Sequence, residues 1–153
     1  YKESNSIEKF SNGTPHILSL STLKTSLDIT IEATTDLLNI KSVKLFDYFV
    51  SIYTDELKKL NFRLLTPIDK SKRGSHIAIS HKEAWRISKC LINPIDKGKL
   101  SIIIDFRPKN IIRIALTPLY TSFDDIYSIS RRLINIVNEE EYKHKDYSMR
   151  GVT

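Results

Sequence analysis

Arg113 stands in the middle of an apolar run, Ile111-Ile112-Arg113-Ile114-Ala115-Leu116, followed at once by a proline turn and a helix start. The run reads as a β-strand. A guanidinium there is costly to bury without an anionic partner. Three arrangements satisfy it. Its planar fork meets a carboxylate ligand, it pairs with an internal acid such as Asp105, or it points to solvent from an edge strand. The chain has to fold around one of these.

The rest of the pattern is regular. Only four glycines occur, Gly13, Gly74, Gly98 and Gly151, and all sit at boundaries. Element interiors are therefore left to side chains that pack. Ile17 to Ala33 is helical, with Leu20, Leu23, Leu27 and Ile31 spaced by three and four. Thr34-Thr35-Asp36 breaks it and starts a second helix to about Leu60, with Phe46, Phe49, Val50, Tyr53 and Leu57 on its buried stripe. Then the period shortens. Phe62 to Thr66 is a strand candidate and 67–74 a basic loop. Ser75 to Ser80 alternates as a strand.

Ser80-His81-Lys82-Glu83 spells a capping box, which predicts a helix to about Ile92. Leu100 to Phe106 is a strand whose three consecutive isoleucines suggest burial on both faces, and Ile111 to Leu116 is another. Ser122-Phe123-Asp124-Asp125 spells a second capping box, opening a helix that ends near Glu141. The charged segment beyond reads as a frayed tail. Two long helices, then four short strands with helices on one side of a mostly antiparallel sheet, make an α+β fold.

Bulk properties narrow the function. The net charge of +6 attracts anions, but the basic residues are spread out. The densest cluster, Asp69-Lys70-Ser71-Lys72-Arg73-Gly74, carries an acid and has no aromatic platform beside it. A solvated loop is expected there, and no nucleic-acid partner. No stretch reads as a membrane span or a secretion signal. Cys90, the single cysteine, excludes an internal disulfide, fits a reducing cytoplasm and is expected to be a core residue. The four histidines are scattered, and no His-Glu-x-x-His, Cys-x-x-Cys, phosphate-cradling glycine loop or Gly-x-Ser-x-Gly elbow is present. No metal site and no complete catalytic constellation are expected. Thr14, beside a turn and a helix start, is either an ordinary helix-entry residue or a contact to a phosphate.

Several blocks, in one consistent order, resemble the kynureninases. They are Phe10 with Gly13-Thr14-Pro15-His16-Ile17-Leu18-Ser19-Leu20, Arg73-Gly74-Ser75-His76-Ile77-Ala78-Ile79, and Glu83-Ala84-Trp85-Arg86-Ile87. Asp105-Phe106-Arg107, Ile112-Arg113 and Pro118-Leu119-Tyr120-Thr121-Ser122-Phe123 complete them. The segment Asn93 to Leu100 is longer than the family's turn, and Pro108 follows Arg107 directly, but the six-residue step from Arg107 to Arg113 is kept.

The resemblance implies the small C-terminal domain of a fold type I pyridoxal-phosphate (PLP) enzyme, homodimeric and cytoplasmic. Residues 1–15 would cross from a large domain, 16–142 form the small domain and 143–153 a flexible tail. The implied activity, in tryptophan catabolism, is hydrolysis of L-kynurenine to anthranilate and L-alanine. Arg113 would hold the substrate carboxylate. Gly13 would line the substrate pocket, and Thr14 would contact the PLP phosphate in the neighbouring subunit. The lysine that carries the cofactor would lie in the large domain, so no catalytic residue and no tightly bound PLP are expected here. Two alternatives stay open, a stand-alone interaction domain from a truncated gene and a fragment of another class V aminotransferase-like enzyme. The resemblance predicts that this polypeptide alone does not turn over kynurenine. Anthranilate fluorescence from the purified chain would contradict it.

Overall fold

The computed structural model describes residues 4–11 and 13–147. The chain divides into two compact units, one reaching to Thr35 and one beginning at Asp36.

The first unit is dominated by helix α1 (Ile17–Ala33), which ends where Thr34 takes a positive φ of 59°. Its hydroxyls turn inward on the helix itself: Ser21, Thr22 and Thr30 donate to carbonyls one turn back. The apolar side chains of Ile17, Leu18, Leu20, Leu23 and Leu27 are exposed.

The second unit holds the core. Helix α2 (Thr35–Asp55) buries Leu45, Phe46 and Phe49. It stops short of the expected Leu60, and a separate 3-10 turn, Leu57–Leu60, follows. That turn lets Leu57 reach the core and closes on Asn61 at a left-handed φ of 64°, a conformation its short amide side chain tolerates. Four strands follow: β1 (Arg63–Leu64), β2 (His76–Ser80), β3 (Asp105–Arg107) and β4 (Ile111–Ala115). Their spatial order is β1-β2-β4-β3, and all three pairings are antiparallel. Helices α3 (Ala84–Ile92) and α4 (Phe123–Asn138) complete the unit. Ile77, Ile79, Ile112 and Ile114 point from the sheet into one cluster with Ile87, Leu91, Ile129 and Leu133 of these helices. This is the expected α+β layering, with helices on one side.

Several local expectations are corrected. Ser80 is not a helix cap, because it is the last residue of β2, paired with Arg63 and Ile111. His81 closes the turn instead: its Nδ1 accepts from Glu83 N at 3.0 Å and its carbonyl from Ala84 N at 2.9 Å. The strand expected over Leu100 to Phe106 shrinks to β3. Residues before Asp105 run along the end of α3, where Ile102 N donates to Leu91 O at 2.7 Å and Ser101 Oγ to Ile92 O at 2.6 Å. Nor are the three isoleucines buried on both faces: Ile102 and Ile104 pack on the core while Ile103 is 89% exposed. The strand expected over Phe62 to Thr66 keeps two ladder residues. Beyond them the Thr66 hydroxyl accepts from Ala78 N at 2.7 Å.

The capping box at Ser122 is present, with Asp125 accepting from the Ser122 amide and hydroxyl. Past α4 the chain does not fray at once. Arg132, 6% exposed at its side chain, holds Glu141 through two hydrogen bonds of 2.8 Å. Lys99 joins at 3.2 Å. Tyr147, 3% exposed, donates to Asn93 O at 2.9 Å. Within the segment expected as a flexible tail from residue 143, Tyr147 is buried whereas Lys143, His144 and Asp146 are exposed, and 148–153 lie outside the described residues.

His81 is 5% exposed and packs its ring 4.8 Å from Phe62. Burial pushes its pKa below the ordinary 6.5. The unfolded chain therefore takes up this proton first as pH falls. Stability from His81 is fully present above about pH 6.5 and declines below it. Urea unfolding midpoints should fall between about pH 7.5 and about pH 5.5, with a shallower slope in His81→Gln.

Candidate functional site

The face of the sheet turned away from the isoleucine cluster carries charge. Alternation along β4 puts Ile112 and Ile114 in the core and Arg113 on the opposite side. The ladders set Arg113 directly between Asp105 on β3 and Ala78 on β2. The neighbouring row on the same face runs Arg107, Ile111, Ser80, Arg63. Three arginines and one aspartate thus share this side.

Arg113 pairs with Asp105, Nη2 to Oδ2, at 2.5 Å. Of the three arrangements open from the sequence, the internal ion pair is the one present. The same oxygen also takes Arg107 Nη2, at 2.9 Å. All three side chains stay wet: Arg113 and Asp105 are 40% exposed and Arg107 is 53%. The turn between the strands is Pro108-Lys109-Asn110, with Lys109 and Asn110 both at a positive φ of 68°. Asn110 tolerates that region and its carbonyl accepts from His81 N at 3.1 Å, which fixes the hairpin end. Arg107 and Arg113 are held on one face by this turn.

Gly13 and Thr14 belong to the first unit. Gly13 has a φ of 121°, a conformation that favours glycine, with nothing within 4 Å of where a Cβ would stand. Thr14 is exposed, and the side chain of His16, the N-cap of α1, makes no hydrogen bond to the amides that open the helix. The turn expected beside Thr14 lies partly outside the described residues, since Asn12 is not among them.

Two further arginines were not expected in the interior. Arg73, expected in a solvated loop, is 3% exposed and stacks on the Phe46 ring 3.6 Å from its centroid. Its nearest acid, Asp47, is 3.8 Å away, and its Nε and Nη2 make no hydrogen bond among the described residues. The rest of that loop is exposed, with Asp69 accepting from Ser71 N at 3.0 Å. Arg132 and Glu141 form the clasp described above. Arg132 holds the Glu141 carboxyl below its usual range, against the opposing effect of burial. No signal short of the fold marks either arginine as interior.

Cys90 is fully buried, and burial first and the Glu141 charge second push its thiol up to about 12. It is the inert core residue expected. Among the described residues no group of three or more His, Cys, Asp or Glu is placed to hold a metal. No described helix is long and apolar enough to cross a membrane.

A sequence model of the kynureninase C-terminal domain matches residues 38–133, a span that contains Asp105, Arg107 and Arg113 but not Gly13 or Thr14. The kynureninase of Geobacillus thermodenitrificans strain NG80-2 is 39% identical over 131 residues, 86% of this chain and 29% of that protein. That of Shouchella clausii strain KSM-K16 is 38% identical over 134 residues, 88% of this chain and 30% of that protein. The chain thus spans about three tenths of the length of the curated relatives it matches.

Ion pairs this exposed add little to folding, at most about 1 kcal/mol. Asp105→Asn should therefore shift the unfolding free energy by less than about 1 kcal/mol in a urea titration. A larger loss would make the cluster structural.

Proposed function

The chain belongs to the kynureninase C-terminal domain family, and from that premise we propose that it is the C-terminal part of a PLP-dependent kynureninase that hydrolyses L-kynurenine to anthranilate and L-alanine. The observation that carries this reading is Arg113 itself. It is an arginine on a central strand, on the sheet face opposite the isoleucine core and 40% exposed, with all but one of its nitrogens free of hydrogen bonds among the described residues.

Arg113 takes the α-carboxylate of the substrate. A guanidinium receives a carboxylate through two parallel N–H bonds, which fixes its plane as well as its position. The strand backbone limits how far the fork wanders, so a bound amino acid is held in one orientation. Gly13 lines the substrate side of its loop, where the missing Cβ leaves open space. The cofactor fits the residues present only in part. Thr14 Oγ1 and the uncapped amides opening α1 are donors suited to a phosphate. When bound, PLP supplies the electron sink for chemistry at the amino-acid carbons. The remaining cofactor contacts, the cofactor lysine and the second subunit of a homodimer belong to the longer protein.

The test is the PLP-loaded full-length enzyme that carries this domain. Arg113→Gln should lower kcat/KM for kynurenine at least about 100-fold, and Arg113→Lys should restore only part, because an ammonium cannot make the two-bond contact. Wild-type kcat/KM in Arg113→Gln would overturn the reading.

A further inference from the structure

Asp105 poses a problem for a carboxylate clamp. It is itself a carboxylate, and it already sits on the arginine. If it faced Arg113 alone, the pair would be neutral, and a ligand would have to displace it. The geometry answers this in two ways. First, Asp105 uses a single oxygen on a single nitrogen of Arg113, Oδ2 on Nη2. The other donors of Arg113 keep no partner among the described residues, and a guanidinium has five N–H bonds to offer. Second, the same Oδ2 is shared with Arg107. Two guanidiniums and one carboxylate leave one net positive charge. The cluster is thus braced and still attracts an anion.

Ordinary cross-strand pairing explains this poorly. Pairs at this exposure add little stability, and a pair serving stability alone has no use for a second arginine on the same oxygen. A long arginine side chain left free has rotamer entropy to lose on binding. A brace removes part of that cost before the ligand arrives.

We propose that Asp105 is a positioning residue. It anchors one nitrogen of Arg113, Arg107 offsets the charge of Asp105, and the fork is presented to the α-carboxylate of an amino-acid substrate already oriented. The proposal rests on Arg113 being the carboxylate clamp, and it adds to that reading how the clamp is aimed and kept charged.

The experiment uses the PLP-loaded full-length enzyme and two competitive inhibitors of kynurenine shape, one with the α-carboxylate and one with a carboxamide in its place. The readout is the ratio of their inhibition constants. Asp105→Asn is expected to narrow the preference for the carboxylate roughly tenfold while leaving carboxamide binding within about twofold. Arg107→Gln, which leaves Asp105 to neutralise Arg113, is expected to narrow it as well, and provides an independent variant. A merely structural role would weaken both inhibitors together and leave the ratio unchanged, and that result overturns the proposal. Arg113→Gln separates the two levels. If it abolishes the preference while Asp105→Asn retains it, only the positioning role falls. If it too leaves the preference intact, the clamp itself is wrong.

Discussion

The register between β2 and β4 is the constraint on which the rest of this structure depends. Ile77 lies opposite Ile114, and Ile79 opposite Ile112. These four side chains form the sheet side of the core. A strand has a side-chain period of two, so a slip of one residue would turn the isoleucines to solvent and drive Arg113 into the apolar layer. The hydrophobic pattern therefore sets where the arginine goes. The position of Asp105 follows from a second ladder hung on the same strand, with Asp105 opposite Arg113.

Three arginines in this domain show how one side chain serves different ends. Arg132 is interior, bidentate to Glu141 and bonded to the Cys90 carbonyl, and it ties the segment after α4 to the helices. Arg73 is interior and stacked on Phe46, with an aromatic face doing much of what an acid would do. Arg113 is half exposed and only partly engaged. Buried pairing through both ends of the fork speaks for structure. An open, singly held fork on a rigid strand speaks for recognition.

Much of this was readable in the residues. Helical spacing located α1, α2 and α4, although the apolar stripe of α1 stays exposed; alternation located β2, and the apolar run around Arg113 located β4. The aspartate opposite Arg113 was visible as a candidate partner. Its second partner, Arg107, was not, since that needs the three-residue turn that returns β3 onto β4. Errors fell where tertiary contacts outvoted local spelling. Ser80 spells a cap but is claimed by strand pairing on both sides. Leu100 to Ile104 spells a strand but finds the end of α3 before it finds a neighbour. Tyr147 and Glu141 sit in a segment whose composition reads as solvent-facing, and only the fold supplies Asn93 and Arg132 to receive them.

The clasp after α4 has a consequence for how the domain opens. Arg132 on α4 and the Asn93 carbonyl that ends α3 are gripped by residues that follow both helices in sequence. Loosening either helix end first requires those last turns to let go. The helical layer and the turns after α4 therefore form one cooperative unit, and the slowest-exchanging amides of this layer become a property of residues that belong to neither helix.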